Sequence, residues 1–470
     1  MRLELVDVGE LELDGFDRVL SPHAAEVLHR AERLGRRELA GRRIWNVNST
    51  ARGGGVAEML VTVLAYARGA GVDARWAVIC ADAEFFAITK RIHNLLHGIP
   101  GDGGPLGDAE REHYEGALAP NGEDFCSLLG PGDVVILHDP QTAGLIPLVR
   151  AAGNRVVWRC HVGLDVPNEL ARRAWTFLDK YVMQADAYVF SREAFVWDEL
   201  DPARRFIIAP SIDVFAPKNA DLDLAMADAI LTASGMRNGH DGATAFRRLN
   251  GNTGTIESRA RITEDRPLTA ADRYVLQVSR WDSLKDPIGV VEGFARHVVP
   301  HSDAHLIYAG PDVSAVADDP EGALVYAATR DHWEALPAQA RERIHLALLP
   351  MEDAEENAVI VNALQRSADV VVQKSLAEGF GLTVAEAMWK ARPVVASRIG
   401  GIQDQIEHGV SGVLLDDPAD LRAYGAAVVE LLDDPGRAAS MGAEARERVR
   451  ERFLGTHSLI DYLELLERLI

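Results

Sequence analysis

The sequence predicts an α/β protein built from two doubly wound, Rossmann-like domains. Its 470 residues exceed what a single hydrophobic core organises. Short apolar runs alternate with helical stretches, which is typical of parallel sheets covered by helices on both faces. The alternation occurs twice, once on each side of a break at Pro210–Lys218. Two such series indicate two sheets, and therefore two domains.

The first series of strands is short and apolar. Its candidate strands are Arg43–Asn48, Arg75–Cys80, Asp133–Leu137, Arg155–His161, Ala187–Phe190 and Arg205–Ala209. Helical segments between them include Val56–Gly69 and Leu170–Lys180. Parallel strands need crossover connections of this kind, so the first half is predicted to form one sheet.

The second series has the same pattern. Its candidate strands are Tyr274–Ser279, His305–Ala309, Ile344–Leu349, Val370–Gln373 and Pro393–Ala396. Its helices include Pro287–His297, Ala358–Ser367, Thr383–Lys390 and Leu421–Leu432. The chain ends in an amphipathic run at Leu459–Ile470, which predicts one more helix.

The stretch between the two series breaks both periodicities. The proline-bounded segment Pro210–Pro217 places the domain boundary at residues 212 and 213. A helical segment at Leu222–Ser234 then precedes a run rich in Gly, Asn and Arg at Asn238–Arg266. A loop of that length is unusual in a compact domain. We interpret residues 219–272 as a partly ordered insertion or flap at the hinge.

Composition excludes several classes of function. A net charge of -22 argues against nucleic acid, whose affinity for proteins comes largely from Lys and Arg on phosphates. The three cysteines, Cys80, Cys126 and Cys160, are scattered and predict neither a zinc site nor a disulfide framework. We find no signal peptide and no run long enough to span a membrane. We expect a soluble, reduced, cytoplasmic protein that gathers cations locally for any anionic ligand.

The strongest motif is Ala377–Trp389, where a glycine-broken turn follows a strand and opens a helix. Gly379 and Gly381 let the backbone approach a ligand, and the helix N-terminus suits phosphate or sugar oxygens. Glu378 and Glu386 would lie about 12 Å apart on a helix, too far for a glycosidase pair. We interpret them as two grips on one elongated ligand. The alternative is a capped helix with two solvated glutamates.

A second motif places Arg280 and Lys285 at the end of a strand, before a helix. Ligands of open α/β sheets bind beyond the carboxyl ends of the strands. A guanidinium and an ammonium there could clamp a diphosphate and neutralise its charge as it leaves. By itself, the motif fits a surface salt-bridge cluster as well.

Glycines and polar residues lie at strand ends in the first half. The loop Gly53–Gly55 is neither a GxGxxG nor a Walker motif, so a dinucleotide or ATP site is not supported. Adjacent glycines still imply close approach by a ligand or by the other domain. Two histidines, His138 and His161, each lie near an aspartate, and their functional and structural interpretations stay equally open.

Together these motifs resemble the retaining glycosyltransferases of the GT-B fold, family 4, over nearly the whole chain except the insertion. The resemblance implies an α/β GT-B architecture, two Rossmann-like domains with a cleft between them. Residues 1–212, with a crossing helix at 456–470, would bind the acceptor. Residues 213–455 would bind the nucleotide sugar.

The resemblance also implies residue roles. Catalytic roles would fall to Glu378, His161, Arg280 and Lys285. Glu378 would hold the donor sugar, Glu386 the ribose hydroxyls, and Arg280 with Lys285 the diphosphate. The donor and nucleotide residues would be Gly54, Gly55, Arg280, Lys285, Met351, Glu378, Gly379, Phe380, Gly381, Leu382, Thr383 and Glu386. No covalent nucleophile and no metal would be required, with Mg²⁺ at most stimulatory.

A narrower resemblance, to the trehalose glycosyltransferring synthases, lies in Asn46–Glu58, Glu84–Lys90, His93–Gly98, His138–Gly144 and Trp389-Lys390. It implies that a nucleoside diphosphate glucose and free glucose give trehalose, reversibly and with retention of the α configuration. Retaining trehalose phosphorylases, other family 4 transferases and a non-catalytic sugar-nucleotide-binding module remain alternatives. The preferred base and the oligomeric state stay open, a homodimer included. Across the cleft from Glu378, the expected acceptor residues are Lys90, His93, Asn94, His97, His138, Asp139, Gln141 and Arg159.

Overall fold

The chain forms two compact units, each with its own sheet. The structure is a computed structural model that describes residues 3–51, 55–239, 242–313 and 320–470. Unit 1 comprises Met1–Ser211 together with Leu454–Ile470, and unit 2 comprises Ile212–Phe453. No helix among the described residues is long and apolar enough to cross a membrane.

Unit 1 is built on a seven-stranded sheet in the order β1-β3-β2-β4-β5-β6-β7. Its strands are β1 (Leu3–Val6), β2 (Arg43–Asn48), β3 (Asp73–Ile79), β4 (Val134–His138), β5 (Arg155–Cys160), β6 (Ala187–Phe190) and β7 (Arg205–Ile207). All pairs are parallel except β1 with β3, where Leu3 lies opposite Ile79. The antiparallel strand therefore closes one edge of a doubly wound sheet.

The helices of unit 1 follow its strands in crossover connections. They are α1 (Pro22–Glu38), α2 (Gly55–Gly69), α3 (Ala83–Leu96), α4 (Asp108–Leu128), α5 (Asp139–Thr142), α6 (Ile146–Ala151) and α7 (Glu169–Val182). One face of the sheet packs on α3, α4 and α7 through a core that includes Trp45, Phe85, Tyr114, Trp158 and Phe177. Alternate residues of each strand face the opposite side of the sheet.

Unit 2 contains a second seven-stranded sheet in the order β10-β13-β12-β11-β14-β15-β16. Before it comes a small hairpin of β8 (Phe246–Arg247) and β9 (Thr253–Gly254). The sheet strands are β10 (Arg261–Thr263), β11 (Tyr274–Val278), β12 (His305–Pro311), β13 (Ile344–Leu349), β14 (Val370–Gln373), β15 (Val394–Ser397) and β16 (Val413–Leu415). All are parallel except the edge strand β10.

The helices of unit 2 cover this sheet, and one face packs on α9, α15 and α16 through a core that includes Phe294 and Tyr424. They are α8 (Leu224–Ala233), α9 (Pro287–His297), α10 (Pro320–Glu334), α11 (Ala338–Arg341), α12 (Ala354–Ser367), α13 (Leu382–Trp389), α14 (Ile402–Gln405), α15 (Leu421–Asp433) and α16 (Pro435–Arg452).

The last helix, α17 (Gly455–Leu469), belongs to unit 1. Its residues Leu463, Leu465 and Leu466 pack into the second face of the unit 1 sheet, against side chains such as Ile136 and Val157. The C-terminal segment thus completes a core whose strands lie more than 200 residues earlier in the chain, as the Ser211–Ser458 hydroxyl pair, 247 residues apart, illustrates.

The predicted fold class is confirmed, and so are all the predicted strands, with small differences at their ends. The predicted helices are also present, and the C-terminal amphipathic run is helical. The sequence analysis missed the edge strands β1, β10 and β16. Edge strands are short and bury less apolar surface, so their sequence signal is weak.

The interpretation of residues 219–272 as a partly ordered flap is wrong. The expected helix is present as α8, and it packs against α12. Strand β10 pairs antiparallel with β13, with Arg261 opposite Leu348, and so extends the sheet. Farther back, Arg248 forms ion pairs with Asp353 and Glu355 at the start of α12. The stretch is an integral edge of unit 2.

Candidate functional site

The unit 2 site begins at the turn between β14 and α13. Gly381 has a φ of +82°, a conformation that favours glycine, and it leads directly into the helix. The N-cap residue of α13 is Gly381, and no side-chain cap is present among the described residues, so the first amide groups carry the positive end of the helix dipole. The carbonyls of Gly379 and Phe380 accept hydrogen bonds from the Gly401 amide (2.8 Å) and the Gln405 side chain (2.6 Å). These bonds fix the turn.

Glu378 lies in this turn and forms an ion pair with Lys285. The carboxylate oxygen Oε2 accepts from Lys285 Nζ at 2.6 Å, and Ser375 Oγ donates to the same oxygen at 3.4 Å. The Glu378 side chain is only 13% exposed, and the Lys285 side chain only 14%. The structure therefore brings together residues of two separate predicted motifs, 93 positions apart in sequence.

Arg280 follows the carboxyl end of β11 and points its guanidinium at Asp282, with a distance of 2.8 Å between Nη2 and Oδ2. The other oxygen of Asp282 accepts from the Leu284 amide at 2.9 Å, which caps the short turn Ser283–Lys285. One buried carboxylate thus orients Arg280 and also shapes the turn that presents Lys285.

A network of buried polar side chains connects the turn that carries Lys285 to β14 and α13. Gln277 Nε2 donates to the carbonyl of Lys285 at 3.0 Å. Gln373 Nε2 donates to Ser279 Oγ at 3.1 Å, and Thr383 Oγ1 donates to Gln373 Oε1 at 2.9 Å. Buried polar groups that are satisfied in this way hold a single geometry. The network links β11, β14 and α13, and it fixes the relative positions of the residues predicted to bind the donor.

Glu386 lies on α13 and is buried, only 3% exposed. Its Oε1 lies 3.6 Å from Lys218 Nζ, and its Oε2 has no hydrogen-bond partner among the described residues. Lys390 is also buried, and its ammonium donates to the Glu386 carbonyl and to Asn219 Oδ1 at 3.1 and 2.9 Å. A buried carboxylate oxygen without a donor is costly, and this one is suited to a ligand hydroxyl. The alternative of two solvated glutamates is wrong for both positions.

Met351 lies just beyond the carboxyl end of β13, close to Pro350, whose carbonyl accepts from Asn357 Nδ2 at 2.8 Å. Its own amide donates to Glu352 at 3.1 Å. The residues predicted to bind the nucleotide sugar thus follow the carboxyl ends of β11, β13 and β14, where ligands of open α/β sheets bind.

In unit 1, a chain of hydrogen bonds joins two buried histidines. His138 Nε2 lies 3.0 Å from Asn46 Oδ1, and His138 Nδ1 lies 3.1 Å from His161 Nε2. Burial, and then the nearby Arg159 guanidinium, lowers the pKa of His138 to about 3, and both also lower that of His161. Both rings are therefore neutral at pH 7 and can share hydrogen bonds but not supply a charge.

Asp139 and Arg159 surround this pair. Asp139 has a φ of +63°, and its Oδ1 accepts from the His161 amide at 2.7 Å. Removal from water raises the pKa of Asp139 to about 7. Arg159 is fully buried, donates to the Ile208 carbonyl at 2.9 Å and lies over the Tyr462 ring. Arg159 was predicted to bind the acceptor, and its Nε donates to His161 Nε2 at 3.4 Å.

The remaining predicted acceptor residues lie on or beside α3. Lys90 is exposed, Asn94 and His93 are half-buried, and His97 caps the helix, with its ring centroid 4.8 Å from that of His93. Helix α3 packs against α5, which carries Asp139 and the half-buried Gln141. The predicted residues of this unit therefore come from adjacent elements.

Part of the predicted glycine loop lies outside the described residues. Gly53 and Gly54 lie outside the described residues, whereas Gly55 is the exposed first residue of α2.

Asp282 and Lys218 were not predicted. Asp282 lies within the predicted Arg280–Lys285 motif, and its contacts are to Arg280 and Leu284, two residues away on either side. Lys218 contacts Glu386, and nothing in the sequence near Lys218 indicates that partner. Lys218 could have been predicted only if Glu386 had been predicted to be buried, because a buried carboxylate needs a nearby cation. A glutamate in a helix is exposed far more often than buried.

Two family models match the chain. One, described as trehalose synthase, N-terminal domain, matches residues 46–197. The other, described as glycosyl transferases group 1, matches residues 258–448. The first match lies in unit 1 and the second in unit 2.

Solved structures share the architecture. The chain matches a sucrose-phosphate synthase from Thermosynechococcus elongatus with a TM-score of 0.61 and 18% identity, covering 91% of this chain and 99% of that one. A UDP-forming α,α-trehalose-phosphate synthase from Burkholderia xenovorans gives a TM-score of 0.66 at 16% identity, with the same coverage. The fold is that of the GT-B glycosyltransferases.

Curated relatives narrow this class. The trehalose synthase of Rubrobacter xylanophilus is 35% identical over 92% of this chain and 93% of its own. That of Pyrococcus horikoshii is 32% identical over 98% and 97%. A trehalose phosphorylase from Pleurotus sajor-caju is 27% identical over 78% of this chain and half of its own. The chain belongs to the trehalose synthase family of glycosyltransferases.

Proposed function

We propose that this enzyme transfers glucose from a nucleoside diphosphate glucose to free glucose, forming α,α-trehalose with retention of configuration. The donor would be UDP- or ADP-glucose, and the reaction would be reversible. The full-length similarity to proteins named trehalose synthase supports the product. The chemistry of the unit 2 site supports a nucleotide donor.

The observation that carries the proposal is the buried Glu386 carboxylate. Its Oε2 has no hydrogen-bond donor among the described residues, although burial makes an unpaired acceptor costly. Vicinal hydroxyls of a ribose are donors of the right kind. An enzyme whose leaving group is inorganic phosphate would have no use for this grip, so Glu386 favours a synthase over a phosphorylase.

The diphosphate would be bound where positive charge collects. Arg280 is half-exposed and already oriented by Asp282, and Lys285 is held beside the turn that leads to α13. The uncapped amides of α13 add the positive end of a helix dipole. These groups would stabilise the charge that develops on the diphosphate as it departs.

The proposed reaction balances without a covalent enzyme intermediate or a required metal. The bond between the glucose C1 and the phosphate oxygen breaks as a hydroxyl oxygen of the acceptor bonds to C1 from the same face. The hydroxyl proton passes to the departing phosphate oxygen. Glu378 would accept hydrogen bonds from hydroxyls of the transferred glucose and so orient its C1.

The acceptor side suits a neutral sugar. His138 and His161 are uncharged at pH 7 because burial lowers the pKa of each. The Nδ1 atom of His161 and the amides of Asn94 and Gln141 can donate to and accept from hydroxyl groups, the groups that free glucose presents.

A product assay tests the proposal. Purified enzyme with UDP- or ADP-glucose and free glucose should form α,α-trehalose without added phosphate, detected by chromatography and by cleavage with a trehalose-specific hydrolase. Trehalose with a nucleoside diphosphate should give the reverse reaction. Trehalose with inorganic phosphate is the control. Glucose 1-phosphate from that control, with no product from the nucleotide sugars, would establish the phosphorylase instead.

A further inference from the structure

Lys218 has no role in the function proposed above, but it lies next to Glu386, the residue proposed to bind the ribose hydroxyls. Its ammonium lies 3.6 Å from Glu386 Oε1, and its side chain is 20% exposed. We propose that Lys218 is a positioning residue for nucleotide binding: its charge holds the Glu386 carboxylate in one orientation, so that Oε2 can accept from a ribose hydroxyl. This inference rests on the nucleotide donor proposed above.

The distance between the two charges favours positioning over simple structural pairing. At 3.6 Å the two atoms are too far apart for a hydrogen bond, although the charges still attract. Oε2 has no hydrogen-bond partner among the described residues. The ion pair therefore supplies charge to the carboxylate without occupying Oε2, which can accept from a ligand.

Glu386 is buried, and a buried charge is costly unless an opposite charge lies close to it. The Lys218 ammonium, 3.6 Å from Oε1, supplies that charge and favours one orientation of the carboxylate.

The other cations near Glu386 are committed elsewhere. Lys390 donates to the Glu386 carbonyl and to Asn219 Oδ1, and burial lowers its pKa to about 7. Arg366 donates to Asn362 Oδ1 and to the carbonyls of Asn219 and Ala220. Among the described residues, the bonds of both cations thus go to groups other than the Glu386 carboxylate oxygens.

The backbone that carries Lys218 is fixed from both sides. Asn362 Nδ2, on α12, donates to the Pro217 carbonyl at 2.9 Å. Trp389 Nε1, on α13, donates to the Asn219 carbonyl at 3.2 Å. The residues before and after Lys218 are thus anchored to the two helices, one of which carries Glu386. Such anchoring holds a long side chain in place before the ligand arrives.

The test uses the full-length enzyme and a readout that a general folding role would not change. Binding of UDP and ADP is compared by calorimetry with that of their 2′-deoxy and 3′-deoxy counterparts. Wild type should prefer the ribonucleotides. Lys218→Met should weaken ribonucleotide binding by about tenfold while leaving deoxynucleotide binding within about twofold. Lys218→Arg, which keeps the charge, should retain most of the preference.

Two further variants complete the design. Glu386→Gln should lose the ribose preference as Lys218→Met does, and the double variant should lose little more, because the two residues act as one unit. Lys180→Met removes a surface lysine that pairs with Glu115 in unit 1 at 2.5 Å, and it should bind every ligand as wild type does. Melting temperatures of all variants verify that each one folds.

The outcomes separate this inference from the proposed function. If Glu386→Gln loses the preference and Lys218→Met keeps it, Lys218 has no positioning role, but the ribose grip survives. If Lys218→Met weakens ribo- and deoxynucleotides equally, Lys218 acts on the phosphates and the inference is overturned. If wild type shows no ribose preference at all, the role of Glu386 in the proposed function fails as well.

Discussion

The Lys285 ammonium and the Glu378 carboxylate satisfy each other across 2.6 Å, yet each is expected to bind a different part of the donor. The pair keeps two largely buried charges compensated. A diphosphate would then share the lysine, and the glucose hydroxyls would share the carboxylate. Neither residue has to move far or lose its charge, so the site is organised before the donor binds.

Glu378→Gln tests the donor-sugar role. The substitution removes the charge but keeps the size of the side chain, so a hydrogen bond that strengthens in the transition state is weakened. We expect kcat to fall by at least about a hundredfold. The melting temperature should fall too, because Lys285 loses the charge that compensates it, so rates are compared well below that temperature. Initial rates of trehalose formation measure kcat. A kcat within a few-fold of wild type would remove Glu378 from the mechanism.

Arg280→Ala and Lys285→Ala test the diphosphate clamp. Each should weaken binding of UDP or ADP by about 1.5–3 kcal/mol, because a charge-assisted hydrogen bond is lost. Calorimetric titration gives the affinities. Arg398→Ala is a matched control in the same unit, since Arg398 forms a surface ion pair with Asp416 at 2.5 Å. Unchanged affinity in both site variants would place the anion site elsewhere.

Asp139→Asn should change how stability depends on pH. Because the pKa of Asp139 rises from 3.8 to about 7 on folding, its contribution to stability is fully present below about pH 4 and is lost as the pH rises to about 7. Asparagine keeps an acceptor for the His161 amide and tolerates a φ of +63°. The variant should therefore gain stability relative to wild type from pH 4 to 7, by at most about 1.4 kcal/mol per pH unit.

Denaturant unfolding of both proteins at intervals from pH 4 to 8 measures this difference. Taking the difference between the two proteins removes the opposite contribution of His138, whose pKa is lowered to about 3. A stability difference that stays constant over the whole range would show that Asp139 is ionised in the folded protein at acidic pH.

At the scale of elements, two glycines inside helices allow a comparison of how tightly the helices pack. A methyl group at Gly35, in α1, would meet Leu463 and Val72 at 3.5 and 3.8 Å, which is ordinary contact. A methyl group at Gly442, in α16, would lie 2.1 Å from the backbone carbonyl oxygen of Ala391. The first site has room for a side chain, and the second depends on glycine.

Gly35→Ala should therefore stabilise the protein by about 1 kcal/mol, because alanine loses less backbone entropy in a helix and fills space beneath α17. Gly442→Ala should destabilise it by roughly 1–3 kcal/mol, because α16 must move away from the end of α13. Urea unfolding of the two variants measures both effects. Equal effects of the two substitutions would contradict this packing argument.

The elements that could be predicted from the sequence are those with large apolar surfaces. Central strands such as Val134–His138 are buried on both faces, and their continuous apolar runs are distinctive. Strand β10, Arg261–Thr263, is an edge with exposed and half-buried residues, so it resembled a loop. Its surroundings are rich in Gly and Asn, which indicated disorder where the chain in fact pairs with β13.

The residues of the candidate site also divide into those that the sequence predicts and those that it does not. Glu378 and Arg280 were predictable because each lies in a turn between a strand and a helix, where ligands of α/β sheets bind. The hydrogen bond of Lys285 to Glu378 and the contact of Lys218 with Glu386 span long stretches of chain. Such pairings depend on where the fold places each element, and no spacing in the sequence indicates them.

At the scale of the whole molecule, the charge of the chain opposes its proposed donor. The net charge is -22, yet a nucleoside diphosphate is itself anionic. Binding must then depend on a local cluster, and unit 2 supplies Arg280, Lys285 and the uncapped end of α13 within a few residues of two sheet strands. Long-range attraction contributes little, so specificity rests on short-range contacts.

Unit 2 is one continuous segment of the chain, whereas unit 1 consists of two, so we expect the two units to behave differently as isolated fragments. Unit 2 is one continuous stretch, Ile212–Phe453, with its own sheet and core. It also holds Arg280, Lys285, Glu378 and Glu386. A fragment of residues 212–453 should therefore fold cooperatively and bind UDP or ADP within about threefold of the affinity of the whole enzyme.

Unit 1 is discontinuous, and this should make its first segment unable to fold alone. Residues 1–211 lack α17, whose Leu463, Leu465 and Leu466 complete one face of the unit 1 core. Without them, strand residues such as Ile136 would lose their cover, at a cost of about 1.5–3 kcal/mol for each large side chain, a large part of the stability of a domain. We expect residues 1–211 to aggregate or unfold without cooperativity, and residues 1–211 joined by a flexible linker to 454–470 to show a cooperative thermal transition. Circular dichroism melts of both fragments decide this, and a cooperative transition in residues 1–211 alone would show that α17 is dispensable for the core.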